Sequence, residues 1–177
     1  MEDYRKNIFL IGFMGAGKSA VARTFQKEFG YRLLEMDEEI ERREGKSISD
    51  IFRDEGEAFF RELETGLLKS LPEGEELIIS CGGGTPLREE NVEAMRLRGA
   101  IVWLAASPDT ILSRVKNSSD RPLLNGNMNL PYIEGLLRER EAKYRKAADI
   151  LVSTDEKSPG EICAEIMTSL QKMRSGV

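Results

Sequence analysis

The chain of 177 residues contains no histidine. Any general base must therefore be a carboxylate, and catalytic triads built on imidazole are excluded. Cysteine is scarce: Cys81 and Cys163 are too few for a zinc site or a disulfide framework, and both are expected to be reduced. No apolar run approaches the ~20 residues of a membrane span. Met1–Lys6 leads straight into the first apolar run with no signal-peptide pattern. A cytoplasmic protein with no membrane partner is expected. Positive charge is also short, with 26 Lys and Arg against 31 Asp and Glu, a net charge of −5 and no basic block. That balance argues against a nucleic-acid partner held through phosphates. A chain of this length is most simply one domain, 1–177, with a core that needs no disulfides.

What is present begins at Gly12-Phe13-Met14-Gly15-Ala16-Gly17-Lys18-Ser19, which has the form G-x-x-x-x-G-K-[ST]. Before it, Asn7–Ile11 suits a buried parallel strand. After it, Val21, Phe25 and Phe29 recur at helical spacing, and Gly30 closes the run. Strand, glycine loop and helix is the order that a phosphate cradle needs. Glycines let backbone N–H groups approach an anion, and the helix start adds its positive dipole end. Gly15, Ala16, Gly17, Lys18, Ser19 and Ala20 are therefore candidate ATP-binding residues. Lys18 would reach the β- and γ-phosphates, and Ser19 would ligate Mg²⁺.

Further along, Tyr31–Met36 reads as a second strand running into Asp37-Glu38-Glu39, and short helices follow to Gly45 and Gly56. Ser47 opens the second of these as a cap. Glu57–Leu71 is helical, with Phe60, Leu63, Leu67 and Leu71 on its inner side, and Pro72 stops it. Leu77–Ser80 is a third strand, entering Cys81-Gly82-Gly83-Gly84. A helix over 88–98, with Leu97 on its apolar side, precedes a strongly apolar fourth strand, Ala100–Ala105, expected at the centre of the sheet. Ser107 caps the next helix with Pro108 at its first position. Residues 116–129 are polar and aperiodic, as functional loops often are. Leu130–Ala147 is helical, Asp149–Val152 is a fifth strand, and Pro159–Met173 is a closing helix. Alternating strands and helices predict an α/β fold with a five-stranded parallel sheet covered on both faces. Ligands in such sheets bind at the carboxyl ends of the strands.

Phosphoryl transfer requires mainly positioning and charge stabilisation, with Mg²⁺ bridging phosphates. The third strand ends Ile79-Ser80-Cys81, so the acidic groups must come from Glu35 and Asp37, which would face one way on a strand. D-x-x-G and N-K-x-D are both missing, which removes a GTPase. A small kinase fits best. A non-catalytic nucleotide-binding module is the rival from another class, but it would have no use for Asp37.

With these motifs in order, the chain resembles the shikimate kinase family, within the nucleoside-monophosphate-kinase-like group. The resemblance rests on G-F-M-G-A-G-K-S, on Glu35-Met36-Asp37 in place of D-x-D, and on Phe60-Arg61 with Glu64. It also rests on Gly82-Gly83-Gly84, on Arg121-Pro122-Leu123-Leu124, and on Arg140 with Tyr144. It implies a P-loop three-layer sandwich with a helical substrate-binding segment, 37–66, and a mobile lid, 116–129. It implies phosphorylation of a hydroxyl of shikimate by ATP, giving shikimate 3-phosphate on the route to chorismate and aromatic amino acids. A monomer with ATP and shikimate as small-molecule partners and Mg²⁺ as cofactor is expected. The nearest rival enzyme is a kinase of another small metabolite, such as gluconate.

Residue by residue, the resemblance implies that Lys18, Asp37 and Arg121 are catalytic, Asp37 holding and orienting the attacking hydroxyl. Arg61 and Arg140 would clamp the substrate carboxylate, for which the guanidinium fork is suited. Gly82, Gly83 and Gly84 would let the backbone approach the substrate. Arg114 would lie against adenine, opposite the Thr154–Pro159 turn, and Arg121 would contact the ATP phosphates. Glu35 would reach the metal through water. From pattern alone Arg61 and Arg140 are ordinary charged residues on helices, and Phe60 and Tyr144 are core. Two departures from the family pattern are Glu35 for Asp, and Ala142 and Lys143 where Pro and Leu are common.

Overall fold

The computed structural model describes residues 7–116 and 129–176. Its centre is β1 (Asn7–Ile11), whose five residues are all buried. Parallel to it run β2 (Arg32–Glu35), β3 (Leu77–Ser80), β4 (Gly99–Ala105) and β5 (Ile150–Ser153), in the spatial order β2-β3-β1-β4-β5. The expected centre is thus corrected: β4 lies beside β1, one strand in from the edge. β4 reads as strongly apolar because strands covered on both faces carry no polar side.

The sheet is covered by helices that its two faces recruit separately. Ile8 and Leu10 of β1 point to α1 (Lys18–Phe29), meeting Val21 and Phe25. Phe9 and Ile11, one residue out of step, point the other way, as strand alternation requires. Between β2 and β3 the chain forms α2 (Met36–Glu44), α3 (Ile48–Glu55) and α4 (Glu57–Lys69). A 3₁₀ turn over Thr85–Leu87 and α5 (Glu89–Arg96) lead into β4, and α6 (Pro108–Val115) and α7 (Leu130–Ala147) lead into β5. Leu67, Leu68, Met95, Ile133 and Tyr144 from this set close the second face. The chain ends in α8 (Pro159–Ser175), whose Ile162 and Ile166 pack beside α1.

Local chemistry explains several boundaries. Ser47 accepts from Asp50 N at 3.1 Å at the start of α3, and Ser158 with Glu161 forms a full capping box on α8. Asn129 caps α7 by accepting from Tyr132 N at 3.0 Å. Two expectations fail. The second strand stops at Glu35 and α2 begins at once, so Asp37 sits in the first helical turn and not on a strand. Leu97 lies just past α5 and is 76% exposed, not on an inner face. Of the expected lid, residues 117–128 lie outside the described residues, and Arg121 with them. Among the described residues no helix is long and apolar enough to cross a membrane.

Candidate active site

The carboxyl ends of β1, β2 and β3 surround a cleft of about 260 Å³. Its walls include Gly15, Gly17, Lys18, Ser19 and Ala20, with Glu35, Asp37, Ser80, Gly82, Gly83 and Arg114. The phosphate loop needs its glycines for two reasons. A β-carbon on Gly12 would stand 2.5 Å from the Leu104 carbonyl oxygen, and Gly17, which precedes α1, has φ 95° in the left-handed region. Lys18 opens α1 and donates from Nζ to the carbonyls of Gly12 and Phe13 at 2.7 and 3.0 Å. Its ammonium is thus held over the loop. Ala16 is the exception among the expected contacts: its side chain is buried and its N–H donates to Phe13 O at 3.0 Å.

At one end of the cleft Arg114 bridges two elements. Its Nη1 donates to Gly15 O at 3.0 Å and to Thr154 Oγ1 at 3.4 Å. Asp155 accepts from Ser107 N at 3.0 and 3.2 Å, and that bond holds its carboxyl below the usual range. The structure therefore brings Arg114 and the start of the Thr154–Pro159 turn together at this end of the cleft.

Ser19 Oγ lies 3.5 Å from Ser80 Oγ, and Ser80 pairs in register with Glu35. Oε1 of Glu35 is buried and has no hydrogen-bond partner. A buried carboxylate oxygen without a donor is costly unless a cation or ordered water meets it. The residues thus fit a Mg²⁺ held by Ser19 and, through water, Glu35. Among the described residues no three acidic or cysteine side chains gather to cage a metal. The Cys81 thiol also borders the cleft, and burial pushes its pKa well above the ordinary value.

The glycine triplet forms the other wall. Positions at which β-carbons would sit on Gly82, Gly83 and Gly84 lie 3.4 Å from Asp37 Oδ1, 3.3 Å from Arg140 Nη1 and 2.5 Å from Arg61 Nη1 and Nη2. Side chains on three successive residues would thus crowd the three side chains assigned to the substrate, and one on Gly82 would first meet Glu64 Oε1, at 2.8 Å. Arg61 and Arg140 come from α4 and α7, and the loop makes them neighbours. Nη1 of Arg140 is buried and has no hydrogen-bond partner. The Arg140 guanidinium carbon sits 5.3 Å from the ring centre of Phe13, in the phosphate loop.

Sequence reasoning left three things unassigned. Glu64, fully buried, accepts from Arg61 Nη1 at 2.8 Å and from Thr85 Oγ1 at 2.7 Å. Burial raises its pKa above the usual carboxylate value, and the Arg61 charge opposes that rise. Tyr144 is core, as expected, but its hydroxyl also donates to Gly83 O at 2.6 Å. Ser80 faces Ser19 where many phosphate-loop proteins place an acid. Glu64 did carry a signal: it lies four residues after Phe60 and three before Leu67, on the apolar stripe of α4.

A profile described as Shikimate kinase matches residues 14–171. A curated shikimate kinase of Dehalococcoides mccartyi is 44% identical over 168 residues, covering 95% of each chain. The Aquifex aeolicus shikimate kinase is 43% identical over 164 residues, 93% of this chain and 95% of its own. Among solved structures, the shikimate kinase of Acinetobacter baumannii in complex with shikimate superposes with a TM-score of 0.87 at 32% identity. It covers 95% of this chain and 94% of its own. A Sinorhizobium meliloti gluconokinase shares the fold, with a TM-score of 0.59 at 18% identity, covering 98% of this chain and 95% of its own.

Proposed function

The chain belongs to the shikimate kinase family, and on that footing we propose that it transfers the γ-phosphoryl group of ATP to a hydroxyl of shikimate. The products are ADP and shikimate 3-phosphate. The observation that carries this reading is the glycine triplet, against which Asp37, Arg140 and Arg61 lie one after another.

The roles follow from charge and position. The loop N–H groups and the start of α1 would bind the phosphates, with Lys18 turning from the loop carbonyls to the transferring group. Arg61 and Arg140 would grip the substrate carboxylate, which Lys would do less specifically. Asp37, in the first turn of α2, would accept a hydrogen bond from the attacking hydroxyl and take its proton as the bond to phosphorus forms. Mg²⁺, held by Ser19 and through water by Glu35, would spread the phosphate charge when bound. Arg121 would add its charge at the transferring group, and Arg114 would cover the base. We take the working unit to be a monomer of one domain, 1–177, with 37–66 as its substrate-binding segment.

The likeness to gluconokinase extends to the fold alone. An acceptor that brings its own phosphate is disfavoured, since Asp37 would repel it. The test is ADP release from purified protein offered shikimate, gluconate, a nucleoside monophosphate or no acceptor. Turnover with shikimate is expected, and Arg61→Leu and Arg140→Leu should each raise its KM about tenfold with little change for ATP. Preference for gluconate would move the protein to another acceptor, and silence with every acceptor would deny it catalysis.

A further inference from the structure

Behind Arg61 runs a chain of buried polar groups with no part in the reaction as described. Glu64 holds Arg61 through one carboxylate oxygen and receives Thr85 Oγ1 at 2.7 Å on the other. Asn91 Nδ2 donates to Thr85 O at 2.9 Å, and Asn91 Oδ1 accepts from Thr65 Oγ1 at 2.6 Å. Glu64, Thr85 and Asn91 are each 0% exposed. Because Thr65 follows Glu64 on α4, the path closes on itself: from α4 to the 3₁₀ turn, to α5, and back to α4.

The Asn91 amide sits in one orientation. Reversing the Asn91 amide would set its oxygen against the Thr85 carbonyl oxygen, so Thr65 and Thr85 together fix it. Asn91 holds the Thr85 backbone through its carbonyl, and the Thr85 hydroxyl donates to Glu64. A carboxylate this deep costs free energy unless every lone pair is used. Other ties of the Arg61 guanidinium are weaker: Glu57, 63% exposed, at 3.2 Å, and the Phe60 ring, 5.3 Å from its carbon. Glu64 is therefore the group that determines where Arg61 points.

We propose that Thr85 and Asn91 are positioning residues for shikimate. They hold the Glu64 carboxylate, which in turn holds Arg61 where the substrate carboxylate arrives. The proposal rests on the carboxylate-binding role of Arg61 given above. It is distinct from simple stapling of three helices. A staple would change stability without separating the two substrates, whereas a positioning chain changes one KM and spares the other.

The experiment uses the full chain with Thr85→Val, Thr85→Ser and Asn91→Ala, reading KM for shikimate, KM for ATP, and thermal unfolding. Thr85→Val keeps the shape and removes the hydroxyl, and should raise KM for shikimate about tenfold. KM for ATP should move less than about twofold, and Thr85→Ser should restore most of the loss. Asn91→Ala should shift the same constant in the same direction. If Asn91→Ala does not fold, the two Thr85 variants decide. An unchanged shikimate KM in folded Thr85→Val, or equal shifts for both substrates, overturns the chain while leaving the kinase intact. Wild-type protein that fails to turn over shikimate overturns the function, and the positioning chain with it.

Discussion

Arg61 fits where it does because Gly84 has no side chain: a β-carbon there would stand 2.5 Å from both terminal guanidinium nitrogens. Gly84 has φ −92°, which any residue adopts, so the obstruction is purely steric. Gly84→Ala should therefore fold, displace Arg61 and raise KM for shikimate about tenfold or more, with ATP affected little. Gly83→Ala, whose β-carbon would meet Arg140 Nη1 at 3.3 Å, should cost less. Steady-state kinetics of the two variants side by side checks this order, and equal losses would contradict it.

Lys18→Ala should leave the fold intact, since the bonds that the ammonium donates to Gly12 and Phe13 go to part-buried loop carbonyls. Turnover should fall by roughly 10²–10³-fold or more, as for other donors aimed at developing charge. Circular dichroism with single-turnover kinetics separates the two effects.

Glu35 and Asp37 should fail differently. Glu35→Gln removes a charge from a buried oxygen that lacks a donor. In chelator it should raise Tm slightly, while weakening Mg²⁺ binding by titration calorimetry and making turnover need more Mg²⁺. Asp37→Asn should lose kcat by orders of magnitude at every Mg²⁺ concentration. Rescue of Asp37→Asn by the metal would reverse the assignment.

Tyr144→Phe deletes one oxygen, the donor to Gly83 O at 2.6 Å. A buried hydrogen bond of this kind contributes about 1 kcal/mol, and the orphaned carbonyl adds to the loss. Urea unfolding should show that loss, and KM for shikimate should rise through movement of the glycine triplet. A stability change with no shift in either KM would confine Tyr144 to packing.

Acid stability should involve Glu39. Hydrogen bonds from Arg42 and Arg43 pull its carboxyl down to about 2. A carboxylate depressed in the folded state contributes above its unfolded pKa of about 4.3 and loses that contribution as pH falls toward 2. Glu39→Gln should thus lower stability at neutral pH by no more than ~1 kcal/mol, given the exposure of the arginines. The difference should vanish near pH 2 and shrink in high salt. Paired urea melts across that range test the sign.

The sheet was legible in the sequence because its inner strands β3, β1 and β4 are buried on both faces and read as short apolar runs between helical periods. The phosphate loop was legible because its chemistry requires contiguous residues. Asp37 was misplaced for a local reason: no residue separates β2 from α2, and the acidic turn that marks a helix start was read as a strand end. The order of strands was less visible, since β1 and β4 are equally apolar and only pairing tells them apart. Thr85 and Asn91 left no local mark. Each is an ordinary polar residue until the fold turns Thr85 to Glu64 and Asn91 to Thr85 and Thr65.

Phe13 occupies one of the variable positions of the phosphate loop, yet its ring is the floor on which Arg140 rests. On the proposed roles, gripping phosphate and gripping carboxylate thus share one aromatic side chain. A nucleotide that shifts the loop shifts that floor, and shikimate that draws Arg140 forward pulls on the same ring. Such coupling is reciprocal in free energy: the factor by which either ligand alters the other's affinity is one number, whichever binds first. On the proposed roles, the order of addition would be a matter of rates, while a thermodynamic link between the two substrates would have this single phenyl ring in its path.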